Sequence, residues 1–255
     1  GLSPEVVDQA HARCAQLIVT VDNGISSHAG VEHARSLGIP VIVTDHHLPG
    51  DTLPAAEAII NPNLRDCNFP SKSLAGVGVA FYLMLALRTF LRDQGWFDER
   101  GIAIPNLAEL LDLVALGTVA DVVPLDANNR ILTWQGMSRI RAGKCRPGIK
   151  ALLEVANRDP QKLAASDLGF ALGPRLNAAG RLDDMSVGVA LLLCDNIGEA
   201  RVLANELDAL NQTRKEIEQG MQVEALTLCE KLERSRDTLP GGLAMYHPEW
   251  HQGVV

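Results

Sequence analysis

The spacing of apolar and polar positions changes once along this chain, from strand-like to helical. Near the start, two β-branched runs, Ile18-Val19-Thr20-Val21 and Val41-Ile42-Val43-Thr44, read as short buried strands. Between them, His28 to Leu37 follows a helical pattern that stops at Gly38, the residue type that most easily closes a helix in the left-handed conformation. Ahead of them, Ser3-Pro4-Glu5 has the order of a helix start: a capping hydroxyl, a pre-set φ and an acid in the first turn. The predicted unit is therefore α-β-α-β, with the strands parallel because a helical crossover returns the chain in its original direction. Ala58-Ile59-Ile60 predicts a third short strand, followed by a polar, proline-bearing loop from Asn61 to Ser73.

From Leu74 onward the period is helical. Helices are predicted over Val77–Gln94, Leu107–Leu116, Arg130–Arg141, Ile149–Asn157 and Val187–Leu193, and a long amphipathic run extends from about Glu199 to Arg234 with only Gly220 interrupting it. That length suits a helix bridging two domains, with a coiled-coil dimer arm as the rival reading. Gly242 to His247 predicts a new strand. The expected fold class is α/β, a parallel sheet followed by a mainly helical segment from about residue 74 and a long connecting helix. The expected division is a first domain over residues 1–196, the connecting helix over 197–236, and the start of a further domain over 237–255.

Composition narrows this picture. With 255 residues, 47% of them hydrophobic, the chain can bury a sizeable core. Its most apolar long stretch, Leu74 to Leu91, is broken by Gly76, Gly78 and Arg88, so a buried helix is expected and a membrane span is not. The five cysteines are odd in number and scattered, with no Cys-x-x-Cys pair, which argues against a disulfide framework or a zinc knuckle and for reduced thiols in the cytoplasm. The formal charge of −8 weighs against a polyanionic partner. Carboxylates that hold cations are partly neutralised, however, and Arg139, Arg141, Lys144, Arg146 and Lys150 run without an intervening acid. They form either a local basic surface or a solvated loop and helix face. The chain starts with glycine, on a helix where a parallel sheet normally has a preceding strand, and stops inside an apolar run; a fragment of a longer protein is expected.

Four segments carry candidate chemistry. Asp22, at the end of the first strand, precedes Asn23-Gly24, a tight turn that would aim its carboxylate into the crevice at the carboxyl ends of the strands; a helix cap is the alternative role. Asp45-His46-His47 follows the second strand. Adjacent parallel strands lie about 4.8 Å apart, so Asp22 and His46 can converge on one cation, and imidazole beside carboxylate suits manganese, zinc or iron. Three consecutive residues do not easily all face one ion. One histidine is expected on the metal, the other on an anionic substrate, and Asp45 behind an imidazole as its orienting partner; a purely structural histidine pair is the alternative. Asp121, within Gly117-Thr118-Val119-Ala120-Asp121-Val122-Val123-Pro124-Leu125, needs a partner if buried, which a shared cation, an arginine or a cap would supply. Gly173 to Arg181 offers Arg175, Asn177 and Arg181 as planar donors suited to phosphate, or else a glycine-bounded helical turn with surface arginines.

In this order the segments resemble the DHH phosphoesterase superfamily, which takes its name from the Asp-His-His motif, and within it the RecJ family of single-strand exonucleases. Val21 to Gly24, Asp45 to His47 and Gly117 to Leu125 are similar to three successive family motifs; Ser73 to Phe81, Asn129-Arg130 and Gly173 to Leu182 add further matching segments. The resemblance implies that Asp22, His46 and Asp121 ligate divalent metal, that His47 contacts the scissile phosphate with Asp45 in support, and that Arg175, Asn177 and Arg181 grip the DNA backbone. It also implies two Mn2+ or Mg2+ ions in the intact enzyme, 5′-to-3′ hydrolysis of single-stranded DNA in repair and recombination, a monomer, and contacts with single-strand-binding protein and a RecQ-type helicase. A phosphoesterase acting on short oligonucleotides or cyclic dinucleotides, or a non-catalytic binding module, are the competing functions. The family's first motif, an upstream Asp-x-Asp, is not present, and the final segment would be the beginning of a DHHA1-type domain. A fragment without that motif is expected to hydrolyse little.

Overall fold

The computed structural model describes residues 1–235 and 241–254. Its chain falls into two compact units, the first comprising residues 1–145 and 161–169, the second residues 146–160 together with the chain from Phe170 onward.

The first unit opens with α1 (Pro4–Ala12), where the Ser3 side chain accepts the cap hydrogen bond from the Val6 N–H. It continues through β1 (Ile18–Val21), α2 (His28–Ser36), β2 (Val41–Thr44) and β3 (Ala58–Ile60). The three strands form a parallel sheet in the order β1-β2-β3, with Val21 opposite Thr44 and Thr44 opposite Ile60. One layer of core lies under α1 and α2: Val7, Val31, Ala34, Ile39, Val41 and Val43, with Ile18 and Ile59 packed against them. Each fully buried aliphatic side chain there contributes roughly 1.5–3 kcal/mol of transfer free energy. β1 is less buried than its apolar sequence suggests, because among the described residues it has a ladder neighbour on one side only: Val19 and Val21 are nearly half exposed.

Beyond the sheet come α3 (Gly76–Asp93), α4 (Trp96–Arg100), α5 (Leu111–Ala120), reached through a 3-10 turn at Leu107–Leu110, α6 (Ala127–Arg141) and, after the excursion of the chain into the second unit, the single turn α8 (Ala165–Asp167). A second core of Leu74, Val79, Phe81, Leu107, Val114 and Leu132 joins α3, α5 and α6. α4 escaped sequence reading, being five residues set between left-handed glycines, Gly95 and Gly101.

The second unit contains α7 (Pro147–Val155), α9 (Gly173–Leu182), α10 (Ser186–Leu193) and α11 (Ile197–Ser235). α9 is a full helix where the sequence suggested a turn. α11 packs on α7, α9 and α10 through Ala200, Ala204, Leu207 and Asn211, all buried at the i, i+4, i+7, i+11 spacing of one helix face. The expected strand from Gly242 to His247 is absent among the described residues; an apolar run becomes a strand only when another edge takes its hydrogen bonds. Residues 236–240 of the expected connecting helix and following domain lie outside the described residues. No helix of the described residues is long and apolar enough to cross a membrane.

Candidate metal centre

The sheet register puts the two strand ends side by side. The Asp22 N–H donates to the Thr44 carbonyl at 3.0 Å, and the Asp45 N–H to the Ile60 carbonyl at 3.1 Å, so both aspartates extend the ladder by one residue before the chain leaves the sheet. Asp22 leaves it in the left-handed conformation, with φ +64°, which costs a residue bearing a Cβ on the order of 1 kcal/mol. Two short bonds hold the turn: Thr20 Oγ1 donates to the Asn23 carbonyl at 2.7 Å, and Asn23 Nδ2 to the Val21 carbonyl at 2.9 Å.

Asp45 is the buried member, with its side chain 1% exposed. Its Oδ1 accepts from the backbone N–H of His46 (2.8 Å), from that of His47 (3.1 Å) and from His47 Nδ1 (2.7 Å), while Oδ2 accepts from the Ile25 N–H at 2.9 Å. Burial opposes its ionisation, but the bonds from Ile25, His47 and His46 outweigh that and hold the carboxyl below its ordinary value. Four donors use most of the acceptor capacity of a carboxylate. Asp45, with three of those donors on Oδ1 and the fourth on Oδ2, therefore orients the loop and the His47 ring.

His46 Nε2 points the other way. It lies 3.0 Å from Asp22 Oδ1 and 3.4 Å from Asp121 Oδ2, yet it is buried and makes no hydrogen bond, so the oxygens are near without lying along a ring N–H. Two ligands at right angles around a small divalent ion, each about 2.1 Å from it, are themselves about 3 Å apart. An orphaned imidazole nitrogen between two carboxylates is a donor set that fits such a cation. Ligand atoms of Asp22, His46 and His47 all lie within 4.8 Å of one another. Burial, reinforced by the neighbouring Asp121 carboxylate and opposed by His46, raises the Asp22 carboxyl above its ordinary value. Without a cation, then, the site resists its own negative charge.

His47 is more than half exposed, and its ring stands 4.5 Å from that of His46 at 62°. The hydrogen bond that Nδ1 donates to Asp45 raises its pKa, slight burial opposes, and the Asp45, Asp22 and Asp121 carboxylates add to the rise. With Nδ1 committed to Asp45, Nε2 remains as a donor or ligand at the surface. Asp121 reaches the cluster as the residue that ends α5, its N–H bonded to the Gly117 carbonyl at 3.0 Å. The valines around it do not enclose it: Val122 is 85% exposed.

Three supporting features were not legible beforehand. Asn61 Nδ2 donates to the His47 carbonyl at 2.9 Å and Asn63 Nδ2 to the His46 carbonyl at 2.6 Å, while Asn61 Oδ1 accepts the Asn63 N–H; the segment after β3 thus buckles the histidine loop. The third is Gly76, at the start of α3. A Cβ there would come within 2.6 Å of both the Cβ and Cγ of Asp22, so the helix can approach the carboxylate only as glycine. The density of Asn and Pro after β3 marked a turn, but nothing local marked what it holds.

The arginine-bearing segment belongs to the second unit. Arg175 is turned inward, its Nε 2.7 Å from Asp208 Oδ1 and its Nη1 donating to the Ala171 carbonyl at 2.7 Å. Asn177 and Arg181 line a recess of about 360 Å³ with Pro174, Arg214, Glu218 and Val254, and Arg181 Nη1 donates to the Gly253 carbonyl at 2.7 Å.

Comparison with known proteins accords with the geometry. The model of the DHH family, N-terminal domain, matches residues 2–118. The single-stranded-DNA-specific exonuclease RecJ of Escherichia coli (strain K12) is 98% identical over the whole chain, which spans 44% of its length. Over its whole length the chain is similar to RecJ exonucleases. The RecJ of Bacillus subtilis (strain 168) is 39% identical over 94% of the chain and 28% of its own length. A solved exonuclease RecJ bound to manganese superposes with a TM-score of 0.77 at 35% identity, over 98% of this chain and 58% of that one. RecJ of Thermus thermophilus in complex with Mn2+ gives 0.77 at 34% identity, over 98% and 35%. The chain thus spans less than half the length of its curated RecJ relatives.

Proposed function

We propose that this chain carries part of the cation site of a RecJ-type exonuclease, a phosphodiester hydrolase that degrades single-stranded DNA from its 5′ end. The observation that carries the reading is His46 Nε2, buried and unbonded between the oxygens of Asp22 and Asp121. Asp22, His46 and Asp121 would hold Mn2+ or Mg2+, with an imidazole in the set favouring manganese. When bound, such cations supply a water acidified to hydroxide and neutralise charge on the phosphoryl oxygens. Asp45 fixes the His47 ring through Nδ1, leaving Nε2 to donate to a phosphate oxygen. Asn177 and Arg181 are proposed as backbone contacts, and Arg175, tied to Asp208, as a contact only if that pair opens. Single-strand-binding protein and a RecQ-type helicase as partners, and a monomeric state, go with this reading on the family resemblance alone.

The test is nucleotide release from 5′-labelled single strands by the full-length protein containing this chain, with Mn2+ present. Release from single strands in preference to duplex, lost with His46→Ala, is the expected result. Undiminished release by His46→Ala would remove the assignment.

A further inference from the structure

α6 starts a few residues after Asp121 and is clamped beside the cation site. Asn129 Nδ2 donates to the Ser73 carbonyl at 2.7 Å and to the Pro124 carbonyl at 3.0 Å, and Ser71 Oγ donates to Asp126 Oδ2 at 2.7 Å. The segment so gripped, residues 71–73, leads directly into Gly76, which packs on Asp22. The outer face of this helix has an unusual make-up for a chain of net charge −8. No acid occurs between Asp126 and Glu154. At 100° per residue, Arg130, Trp134 and Arg141 fall within about 40° of one line, which runs roughly 16 Å along the helix. Trp134 is 61% exposed and Ile131, beside it, 60%; Lys144 follows shortly after the helix ends and is also exposed.

The two arginines are held in place without being neutralised. Arg130 Nε donates to the Leu125 carbonyl at 2.7 Å and Arg141 Nε to the Leu163 carbonyl at 3.0 Å. Neither they nor Lys144 form an ion pair among the described residues. A large indole left in water between two fixed, unneutralised guanidinium groups matches a ligand that is polyanionic and also offers flat faces for stacking. Single-stranded nucleic acid has both properties, and its bases stack on tryptophan without regard to sequence. A protein partner would have to bring an acidic stretch and an apolar cover together; a single strand brings phosphate and base at every step.

We propose that the outer face of α6, centred on Trp134 with Arg130 and Arg141 on either side, is a stacking platform for single-stranded nucleic acid, extending the substrate path away from the cation site. The inference rests on the exonuclease reading above. Its test is anisotropy of a labelled twelve-nucleotide oligothymidylate titrated with the full chain in EDTA, where no hydrolysis occurs. Trp134→Ala should weaken binding by about 5- to 100-fold, and Trp134→Phe should restore most of it. Arg130→Gln with Arg141→Gln should reduce the slope of log affinity against log salt by about 1.4, roughly 0.7 per cation removed. Circular dichroism and calorimetric Mn2+ binding should stay as in the parent for all variants. Oligothymidylate affinity of Trp134→Ala within twofold of a parent that does bind would overturn the platform and leave the cation site standing. Failure of the parent to bind the strand while it binds Mn2+ would overturn both readings. An acidic peptide that quenches Trp134 fluorescence where oligothymidylate does not would make the face a protein interface and also overturn the proposal.

Discussion

Asp22 and Asp45 occupy equivalent places, each one residue past the end of neighbouring parallel strands, yet their surroundings set them to opposite tasks. Asp45 is buried and receives four hydrogen bonds, so its charge is held inside the protein. Asp22 is half exposed, in a strained backbone conformation, facing another carboxylate and an unbonded imidazole nitrogen. A well-bonded carboxylate shapes a site, and an unsatisfied one waits for a ligand.

The largest expected effect breaks this contrast at its exposed end. Asn tolerates the left-handed conformation, so Asp22→Asn keeps the turn and removes only the charge; Mn2+ affinity measured by calorimetry should fall by more than about 100-fold, beyond what outer-partner mutations usually cost. Affinity within tenfold of the parent would show that Asp22 is not a ligand. Next, Asp45→Asn turns an acceptor into a donor facing existing donors. It should cost about 1–3 kcal/mol in denaturant unfolding and about 10–100-fold in Mn2+ affinity, through a loosened loop. A change in affinity with no change in stability would contradict a purely supporting role.

Smaller again is Gly76→Ala. Alanine favours the helix, but its Cβ must push Asp22 aside, so a cost of about 1–2 kcal/mol is expected from overpacking, with Mn2+ affinity falling about tenfold. A variant as stable and as tight as the parent would mean that α3 yields and that its approach to the carboxylate is incidental.

How far these differences were legible depends on whether their cause was local. The β-branched runs gave β1 and β2, and with them the juxtaposition of Asp22 with His46, because strand pairing fixes what lies at strand ends. The four bonds to Asp45 include only one from a distant residue, Ile25, so its supporting role was within reach. Gly76 was not, since its need for glycine arises from a helix meeting a turn more than fifty residues earlier. Nor was the inward turn of Arg175, whose partner Asp208 lies 33 residues on. Helical period suggested that Trp134 was on a helix; only the packing of Leu132, Met137 and Ile140 shows which face remains outside. The strand expected at Gly242 to His247 failed for the converse reason: its pattern was local, but a strand also needs a neighbour.

The smallest effect is a difference in sign. The ordinary value for both carboxyls is 3.8; Asp45 lies below it and Asp22 above it in the folded chain. For Asp45, the unfolded state binds more protons between the lowered value and 3.8, so its contribution is fully present above 3.8 and is lost as pH falls through the folded value. For Asp22, the folded state binds more protons above 3.8, so stability falls as pH rises through the raised value. In EDTA at pH 7, Asp22→Asn should therefore stabilise the protein, by less than about 1 kcal/mol because the group is half exposed and screened, whereas Asp45→Asn destabilises it. Saturating Mn2+ should reverse the order for Asp22, since a ligand that binds only the folded state raises the stability of the parent more than that of the weakened site. Thermal melts of the two variants with and without Mn2+ decide it: if Asp22→Asn were destabilising in EDTA, Asp22 would be a structural carboxylate like Asp45, and the contrast between the two strand ends would collapse.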